Sequence, residues 1–357
     1  MDTIALQPAK AGAATRRVLV TGGSGFIGQH LVEALRHRHH VRVLDLQPPE
    51  DLQQPQQSPS EFIEGTVLEP RDLRRALAGV DTVYHLAAIP HFWTPDVEDF
   101  ARVNHHGTEL LLDAAREARV GTVVHCSTEA ILFPPTGANS EIPDRVEDMP
   151  GPYTRSKFMA EQAALAAARD GMRVVIASPT IPIGPGDRNI TEPTAMLSMF
   201  VRRPPPLVLD ASLNLVDVRD AARGLILAGE FGRSGERYIL GGENVSVREL
   251  VRWVGALCGR KTTAHALPGP AALAIGVAAE WFANSVIKRR PQVSAEAVRV
   301  AMRSIPLDIS KAEIELGYAP RPIDNALAEV VALLKRGEAM HGAVTSRSLH
   351  ERSDMQV

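Results

Sequence analysis

The sequence predicts an α/β fold, a doubly wound parallel sheet with a smaller mixed region at its C-terminal side. Two observations support this prediction. Short apolar runs alternate with helical patterns through the first half of the chain, and a glycine-rich turn joins the first run to the first helix. The alternation stops after Pro179, where prolines become frequent, and this change marks the start of the smaller region.

The first half of the chain contains the repeating part of the pattern. Its predicted strands are apolar runs rich in β-branched residues, as a buried parallel strand requires, at 18–20, 41–45, 61–65, 81–88, 122–128 and 173–177. The predicted helices between them lie at 30–35, 73–77, 103–118 and 152–168. Beyond Pro179 the sequence predicts two strands and a helix, at 213–218, 237–240 and 247–257.

The glycine-rich turn from Thr21 to Gly28 is the first functional signal. Its glycines let the backbone turn tightly, approach a diphosphate closely and pack the helix against the sheet. The N-terminus of the helix then offers free N–H groups to the phosphates. We therefore predict that Gly22, Gly25 and Gly28 bind a dinucleotide.

This signal sets the expected domain organisation. A dinucleotide-binding domain of the Rossmann type is predicted at 16–180, and the segment 213–242 is predicted to return to it. A substrate-binding region is predicted at 181–212 and 243–335. The ends of the chain are predicted to be a disordered leader at 1–15 and a loose tail at 340–357. The length of 357 residues allows either one large domain or two closely joined ones.

Composition excludes several classes of function. The net charge of −3 gives no bias toward nucleic acid, so no nucleic-acid partner is predicted. Two cysteines, Cys126 and Cys258, cannot form a disulfide framework, and we expect a cytoplasmic protein. No cluster has the spacing of a zinc site, and the histidines at 37, 39 and 40 are interpreted as a solvated loop, so no metal is predicted.

Asp45 ends the second predicted strand and indicates the type of dinucleotide. A carboxylate there accepts hydrogen bonds from the adenosine ribose hydroxyls and repels a 2′-phosphate. The residues that follow it, Leu46 to Pro48, include no arginine to bind such a phosphate. The sequence therefore predicts NAD, rather than NADP, as the cofactor.

Tyr153 and Lys157 are the second functional signal. Their spacing of four places both side chains on one face of a predicted helix. A phenol is a poor base at neutral pH, but a neighbouring ammonium and a cationic nicotinamide ring both favour its phenolate. We expect Tyr153 to exchange a proton with the substrate oxygen, and Lys157 to hold the nicotinamide ribose. An incidental Tyr–Lys pair is the alternative.

A hydroxyl group is needed beside Tyr153 to orient the substrate oxygen. Thr128 is the first candidate and Ser127 the second, because both follow the fifth strand at the edge where parallel sheets bind ligands. Their alternative role is to cap the segment that follows.

These residues together resemble the extended short-chain dehydrogenase/reductase superfamily, of the NAD-dependent epimerase/dehydratase type, over roughly 16–335. The segment 21–28 is similar to its TGxxGFIG motif, 84–88 to its fourth-strand motif, 104–108 to its NxxGT motif and 178–186 to its segment after the sixth strand. The resemblance implies further cofactor contacts, beyond the glycines, Asp45, Tyr153 and Lys157, from Phe26, Ile27, Thr66, Val67, Leu86, Ala87, Ala88, Asn104, Ser127, Pro179, Thr180 and Ile181.

Within that superfamily the chain is most similar to hopanoid-associated sugar epimerases, dihydroflavonol reductases and 3β-hydroxysteroid dehydrogenases. Three positions depart from the family pattern. Thr66 stands where an aspartate often binds adenine, and Thr128 replaces a serine. Ser212 to Asn214 replace an arginine-containing run that grips the diphosphate of nucleotide sugars, which lowers the expectation of such a substrate.

Two other segments have alternative interpretations. The apolar segment 267–283 is broken by prolines and too short to span a membrane, so no spanning segment is predicted. A helix in the core of the small region is expected there, and a helix facing lipid is the alternative. His91, Phe92 and Trp93 are expected either to form a wall of the substrate pocket or simply to pack.

The predicted function is that of an NAD-dependent oxidoreductase. It would transfer hydride between nicotinamide and a secondary alcohol or ketone of an apolar, cyclic, sterol-like small molecule, through Thr128, Tyr153 and Lys157. The alternative is a sugar epimerase that recycles NAD. A dehydratase is less favoured because only Glu129 follows the catalytic hydroxyl, and a cofactor-sensing protein is a third hypothesis. The resemblance also implies a homodimer.

Overall fold

A computed structural model describes residues 15–48, 60–132, 145–287, 290–291 and 293–337. Within these residues the strands form a seven-stranded sheet, a three-stranded sheet and a two-stranded sheet. The predicted α/β class is confirmed. The leader predicted at 1–15 lies outside the described residues except for Thr15, and the tail predicted at 340–357 lies wholly outside them.

The predicted strands lie close to their expected positions, and four further short strands, the seventh, eighth, eleventh and twelfth in the chain, were not predicted. In chain order they are β1 (Arg17–Thr21), β2 (His40–Asp45), β3 (Glu61–Glu64), β4 (Thr82–His85), β5 (Thr122–Cys126), β6 (Val174–Pro179), β7 (Ile181–Ile183), β8 (Leu207–Leu209), β9 (Ser212–Asp217), β10 (Arg237–Leu240), β11 (Glu243–Ser246) and β12 (His265–Leu267).

The helices alternate with these strands in the first half of the chain and dominate its end. They are α1 (Phe26–Leu35), α2 (Pro70–Leu77), α3 (Gly107–Glu117), α4 (Pro152–Arg169), α5 (Glu192–Arg202), α6 (Val218–Phe231), α7 (Val247–Leu257), α8 (Gly269–Phe282), α9 (Ala295–Met302), α10 (Ser310–Leu316) and α11 (Asp324–Arg336). A π-helical segment at Phe100–His106 leads into α3, and another at Ala283–Ile287 follows α8.

The large sheet has the strand order β3-β2-β1-β4-β5-β6-β10, and all its neighbours are parallel. Successive side chains of a strand point to opposite faces. Val18 and Val20 therefore pack against α1 and α6, whereas Leu19 packs on the other face, against α2 and α3. The chain runs from β1 outward to β2 and β3 on one side and then crosses to β4 on the other side of β1. This reversal opens a crevice at the carboxyl ends of β1 and β4.

One part of the expected domain organisation is corrected. Of the segment 213–242, α6 and β10 join the large sheet, but β9 pairs with β7 and β11 in the three-stranded sheet. The Asn214 carboxamide fixes this pairing, because it donates to the Gly242 carbonyl and the Asn244 side chain and accepts the Gly242 N–H.

Helix α8 is not the core helix that its composition predicted. Only Ala272 and Gly276 of this helix are buried, and its large apolar side chains point outward. In the described part of the chain, no helix has the length and apolar character needed to cross a membrane.

Candidate active site

The glycine-rich turn lies in the crevice between β1 and β4. Gly22 has a φ of +72°, and a Cβ there would lie 2.7 Å from the backbone of Leu86 and Ala87, so the turn after β1 packs directly on the turn after β4. Gly25 precedes α1 and carries no side chain to cap it. The first N–H groups of α1, from Phe26 onward, are therefore left for a ligand such as a diphosphate.

Asp45 is joined to this turn at the end of β2. Its carboxylate accepts the backbone N–H of Ser24 at 2.9 Å and that of Leu46 at 2.7 Å. Burial raises the pKa of Asp45, and these hydrogen bonds oppose the shift. The carboxylate is thus fixed beside the turn, where ribose hydroxyls would find an acceptor.

The other residues predicted to contact the cofactor fall into two groups. Leu86, Ala87 and Ala88 follow β4, and Pro179, Thr180 and Ile181 follow or end β6, so both trios lie at the carboxyl edge of the sheet. The Thr180 hydroxyl is buried and, among the described residues, has no hydrogen-bond partner. A polar ligand group at this edge would satisfy it.

Three other residues predicted to contact the cofactor also have contacts within the protein. The Thr66 hydroxyl accepts the N–H of Leu68, and Val67 is buried against Gly107 in the core. The Asn104 carboxamide binds the backbone of Ile89 and the hydroxyl of Ser156. Asn104 therefore ties the loop after β4 to helix α4, which positions the site without requiring a direct ligand contact.

Tyr153 lies near the start of α4 in an apolar enclosure. Its ring meets Phe92 edge to face, with 4.9 Å between ring centroids, and Phe100 at 6.0 Å. Ala130, Ile89 and Val300 complete the same cluster. The phenol is buried beside hydrocarbon, and the nearby Thr128 hydroxyl opposes the effect of burial on its pKa.

Thr128 and Ser127, the two candidate hydroxyls, have different surroundings. The Thr128 hydroxyl lies at Tyr153 and also accepts the N–H of Ala130 at 3.2 Å. The Ser127 hydroxyl donates to the buried carboxylate of Glu161, which is paired with Arg237 on β10. The geometry thus places Thr128, and not Ser127, next to the phenol.

The protonation of Tyr153 differs from the expectation. Burial raises the pKa of the Tyr153 phenol and lowers the pKa of the Lys157 ammonium. The Lys157 Nζ donates to the carbonyl oxygen of Cys126 at 2.7 Å. In the protein by itself Tyr153 therefore keeps its proton, and this is the form that can protonate a substrate oxygen.

Glu296 is a site residue that the sequence did not predict. Its carboxylate accepts the backbone N–H groups of Tyr153 at 3.2 Å and Thr154 at 2.8 Å, and the Thr154 hydroxyl at 2.8 Å. It thereby caps the catalytic helix from α9. Gly151, which precedes α4, could have indicated such a residue, because glycine gives the helix no capping side chain. A Cβ at Gly151 would lie 2.5 Å from the Glu296 Cδ.

Glu192 is a second site residue that the sequence did not predict, and it holds the loop after β4 in place beside Tyr153. At the start of α5 it accepts the N–H of Phe92 at 3.0 Å and pairs with His91 and with Arg290. The Trp93 indole donates to Asn284 at 2.7 Å. Burial opposes ionisation of Glu192, but these partners together leave its pKa below the usual value. The loop after β4 is thus held against Tyr153.

Glu129 follows Thr128 and is half-buried beside it. Burial raises the pKa of Glu129 to about 7, although its own backbone N–H and the Thr128 hydroxyl favour the charged form. Its Oε2 is 3.3 Å from the Thr128 Oγ1. A carboxyl group that titrates near neutrality therefore adjoins the hydroxyl pair.

We expect Glu129→Gln to change how stability depends on pH. Native Glu129 holds its proton up to about pH 7, whereas in the unfolded chain it releases it near about 4.3. The contribution of Glu129 to the free energy of unfolding is therefore complete below the pKa of the unfolded chain, and it is lost as the pH rises through the pKa of the folded protein. Urea unfolding from pH 4 to 8 measures this, with the exposed Glu147→Gln as control. A pH-independent difference between Glu129→Gln and the unaltered protein would contradict the expectation.

The arrangement has the parts of a dinucleotide-dependent proton-transfer site. It combines a glycine-rich turn with free N–H groups at the start of α1, a carboxylate fixed at the end of β2 and a buried phenol beside a hydroxyl, at one edge of a parallel sheet. Among the described residues, no group of three or more His, Cys, Asp or Glu side chains could hold a metal ion.

Known proteins are similar in sequence to this chain over most of its length. A protein named as a dihydroflavonol 4-reductase from Synechocystis sp. is 33% identical over 87% of this chain and 92% of its own length. A 4-hydroxy-2-methyl-3-oxo-4-farnesyl-3,4-dihydroquinoline-1-oxide ketoreductase from Stigmatella aurantiaca is 33% identical over 93% and 100%. Sterol demethylase protein B from Methylococcus capsulatus is 28% identical over 88% and 97%.

Solved structures agree with the fold. The crystal structure of gox2253 matches with a TM-score of 0.77 at 33% identity, over 91% of this chain and 100% of that one. MoeE5 in complex with UDP-glucose and NAD matches with a TM-score of 0.69 at 25% identity, over 90% and 99%. The model of the NAD dependent epimerase/dehydratase family matches residues 18–241. The chain therefore belongs to the NAD-dependent epimerase/dehydratase family.

Proposed function

We propose that this protein is an NAD-dependent oxidoreductase that acts on the secondary alcohol or ketone of an apolar, cyclic molecule. The observation that carries the proposal is the buried Tyr153–Thr128 hydroxyl pair, enclosed by Phe92 and Phe100. The names of the similar sterol and farnesyl-quinoline enzymes support a substrate of this kind.

The residues of the crevice fit NAD. The open first turn of α1 would hold the diphosphate, Asp45 the adenosine ribose and Lys157 the nicotinamide ribose. The unpartnered Thr180 hydroxyl would accept or donate at the nicotinamide end. Bound NADH supplies the hydride for a ketone, and NAD accepts it from an alcohol.

Two side chains of the protein carry out the proton transfer. The Thr128 hydroxyl orients the substrate oxygen beside the Tyr153 phenol, and Tyr153 donates its proton to that oxygen as a ketone is reduced. Alcohol oxidation is the reverse transfer. Because burial raises the pKa of Tyr153, the proton donor is the form held ready in the free protein.

The surroundings favour an apolar substrate over a nucleotide sugar. The aromatic wall at Tyr153 offers hydrocarbon contact, which stabilises a ring system by roughly 25 cal/mol for each Å² removed from water. The run 212–214, which stands where nucleotide-sugar enzymes of the family carry an arginine-containing run, has no arginine, and its Asn214 side chain joins β9 to β11.

A sugar epimerase is the second candidate. It is favoured by the similarity to MoeE5, whose structure contains UDP-glucose and NAD. The two functions are separated by incubating the protein with NADH and cyclic ketones, or with NAD and UDP-glucose, while following absorbance and product. Net NADH consumption with a ketone supports the oxidoreductase, whereas a new sugar isomer without net NADH change supports the epimerase and contradicts our proposal.

We expect Asp45→Asn to weaken the preference for NAD. The amide keeps one acceptor oxygen for Ser24 but loses the charge that binds ribose hydroxyls and repels a 2′-phosphate. A lost charged hydrogen bond corresponds to roughly tenfold or more in affinity. Titration calorimetry with NAD and NADP measures the ratio, and Glu64→Gln on neighbouring β3 is the control. An unchanged NAD-to-NADP ratio would remove Asp45 from the proposed cofactor site.

The homodimer and the cytoplasmic location stay predictions. We propose that the chain acts on a small molecule as a dimer, and sedimentation of the purified protein would test the oligomeric state.

A further inference from the structure

The outer face of helix α8 is apolar and uncovered. Its exposed side chains include Ile275, Val277, Trp281 and Phe282, and Trp281 is 66% exposed. Val286 extends the same exposed surface into the segment after the helix. A helix that is apolar on its outward side, on a protein of this size, indicates a contact that the single chain does not supply.

The segment of the sequence that contains this helix is basic. From residue 259 to 303 the sequence has seven Lys and Arg residues against two acidic ones, although the whole chain has a net charge of −3. Both acids are directed inward. Glu280 accepts the N–H of Ala295 at the start of α9, and Glu296 caps α4. The described exposed residues of 269–286 therefore include no acid, in a basic part of the chain.

Exposed aliphatic and aromatic side chains in a basic segment match the surface of an anionic bilayer. The hydrocarbon side chains enter the acyl boundary, tryptophan is favoured at the interface, and Lys and Arg attract anionic headgroups.

Helix α9 and the segment after α8 are hydrogen-bonded to residues of the candidate active site. Glu296 on α9 binds the backbone of Tyr153, and Asn284, which follows α8, accepts the Trp93 indole next to Phe92. Helix α9 packs along α8, where Val298 lies against Gly276. A surface contact at α8 is therefore one helix away from the catalytic tyrosine.

We propose that the exposed face of α8, formed by Ile275, Val277, Trp281, Phe282 and Val286, docks this protein on an anionic lipid bilayer, from which its apolar substrate enters the site. The docking is independent of the reaction, and the entry of substrate rests on the proposed function. No spanning is involved, in keeping with the helices of the described residues.

The test is sedimentation of the full chain with vesicles of phosphatidylcholine, alone or mixed equally with phosphatidylglycerol. We expect binding to the mixed vesicles, weakened by added salt, and Trp281→Glu should reduce the bound fraction by about tenfold. The control is Phe231→Glu at the end of α6, where Phe231 is 59% exposed but lies outside the α8 face. This variant should bind like the unaltered protein.

Three results would overturn the proposal. The first is no binding of the unaltered protein to the mixed vesicles, and the second is an equal loss of vesicle binding in both variants. The third is dissociation of a dimer by Trp281→Glu without any vesicle binding, which would make α8 a protein interface. Reduction of a water-soluble cyclic ketone, measured without lipid, should be unchanged in Trp281→Glu. If vesicles bind but no ketone is reduced, the docking holds and the proposed function fails.

Discussion

Tyr153→Phe is expected to lower kcat by about 10²- to 10⁴-fold, the range that a positioned proton donor contributes. The variant loses only the hydroxyl that meets Thr128, and its ring keeps the contacts with Phe92 and Phe100. NAD affinity should therefore stay within about twofold, because the diphosphate and the adenosine ribose are held elsewhere. Stopped-flow reduction of a cyclic ketone and calorimetric titration with NAD give the two values.

Tyr238→Phe is the matched control. Tyr238 is also buried and hydrogen-bonded, but it lies on the edge strand β10, where its hydroxyl donates to Glu315. Its loss should lower stability without a comparable change in kcat. If Tyr153→Phe turned over like the unaltered enzyme, the phenol would not be the proton donor, and the proposed mechanism would have to be abandoned.

Glu296→Ala is expected to lower both stability and turnover. It leaves the N–H groups of Tyr153 and Thr154 without their buried acceptor, while the Thr154 hydroxyl can still donate to the Gly151 carbonyl at 3.1 Å. Unsatisfied buried donors cost about 1–3 kcal/mol each, so we expect a loss of roughly 2–4 kcal/mol after local relaxation. The start of α4 should also shift, and a misplaced phenol should lower kcat by about tenfold or more.

Urea unfolding and steady-state kinetics measure these effects. Glu296→Gln retains one carbonyl oxygen as acceptor and should recover more than half of both losses, whereas Glu296→Leu, which fills the space but accepts no hydrogen bond, should not. Glu280→Ala is a second comparison, since Glu280 caps α9 and not the catalytic helix. Normal kcat in Glu296→Ala, at a temperature where the variant is folded, would show that the cap does not position Tyr153.

Local patterns predicted the parts of the fold that depend on near neighbours in sequence. The strand, turn and helix around Gly22, Gly25 and Gly28 follow from a few adjacent residues, and so does the placement of Tyr153 and Lys157 on one helix. The strand β9 was also predicted, but its partners were not, because they depend on the Asn214 side chain reaching a turn 28 residues later.

Contacts between distant segments could not be predicted in this way. Glu296 reaches the catalytic helix across more than 140 residues, and Glu192 reaches Phe92 across 100. The exposure of α8 was only the alternative expectation, because apolar composition is the same for a buried helix and for one that faces lipid. The pKa of Tyr153 was expected to fall because of Lys157 and a bound nicotinamide ring, but in the protein by itself burial raises it.

The cap between Gly151 and Glu296 limits how this enzyme can be redesigned. A graft of the 269–303 segment from a homologue, made to alter substrate choice, would also replace the acceptor that holds the catalytic helix. Any side chain at 151 would collide with the glutamate, so the two positions must be exchanged together. Chimeras that carry both should stay active, and substitutions at the two positions should covary among natural homologues.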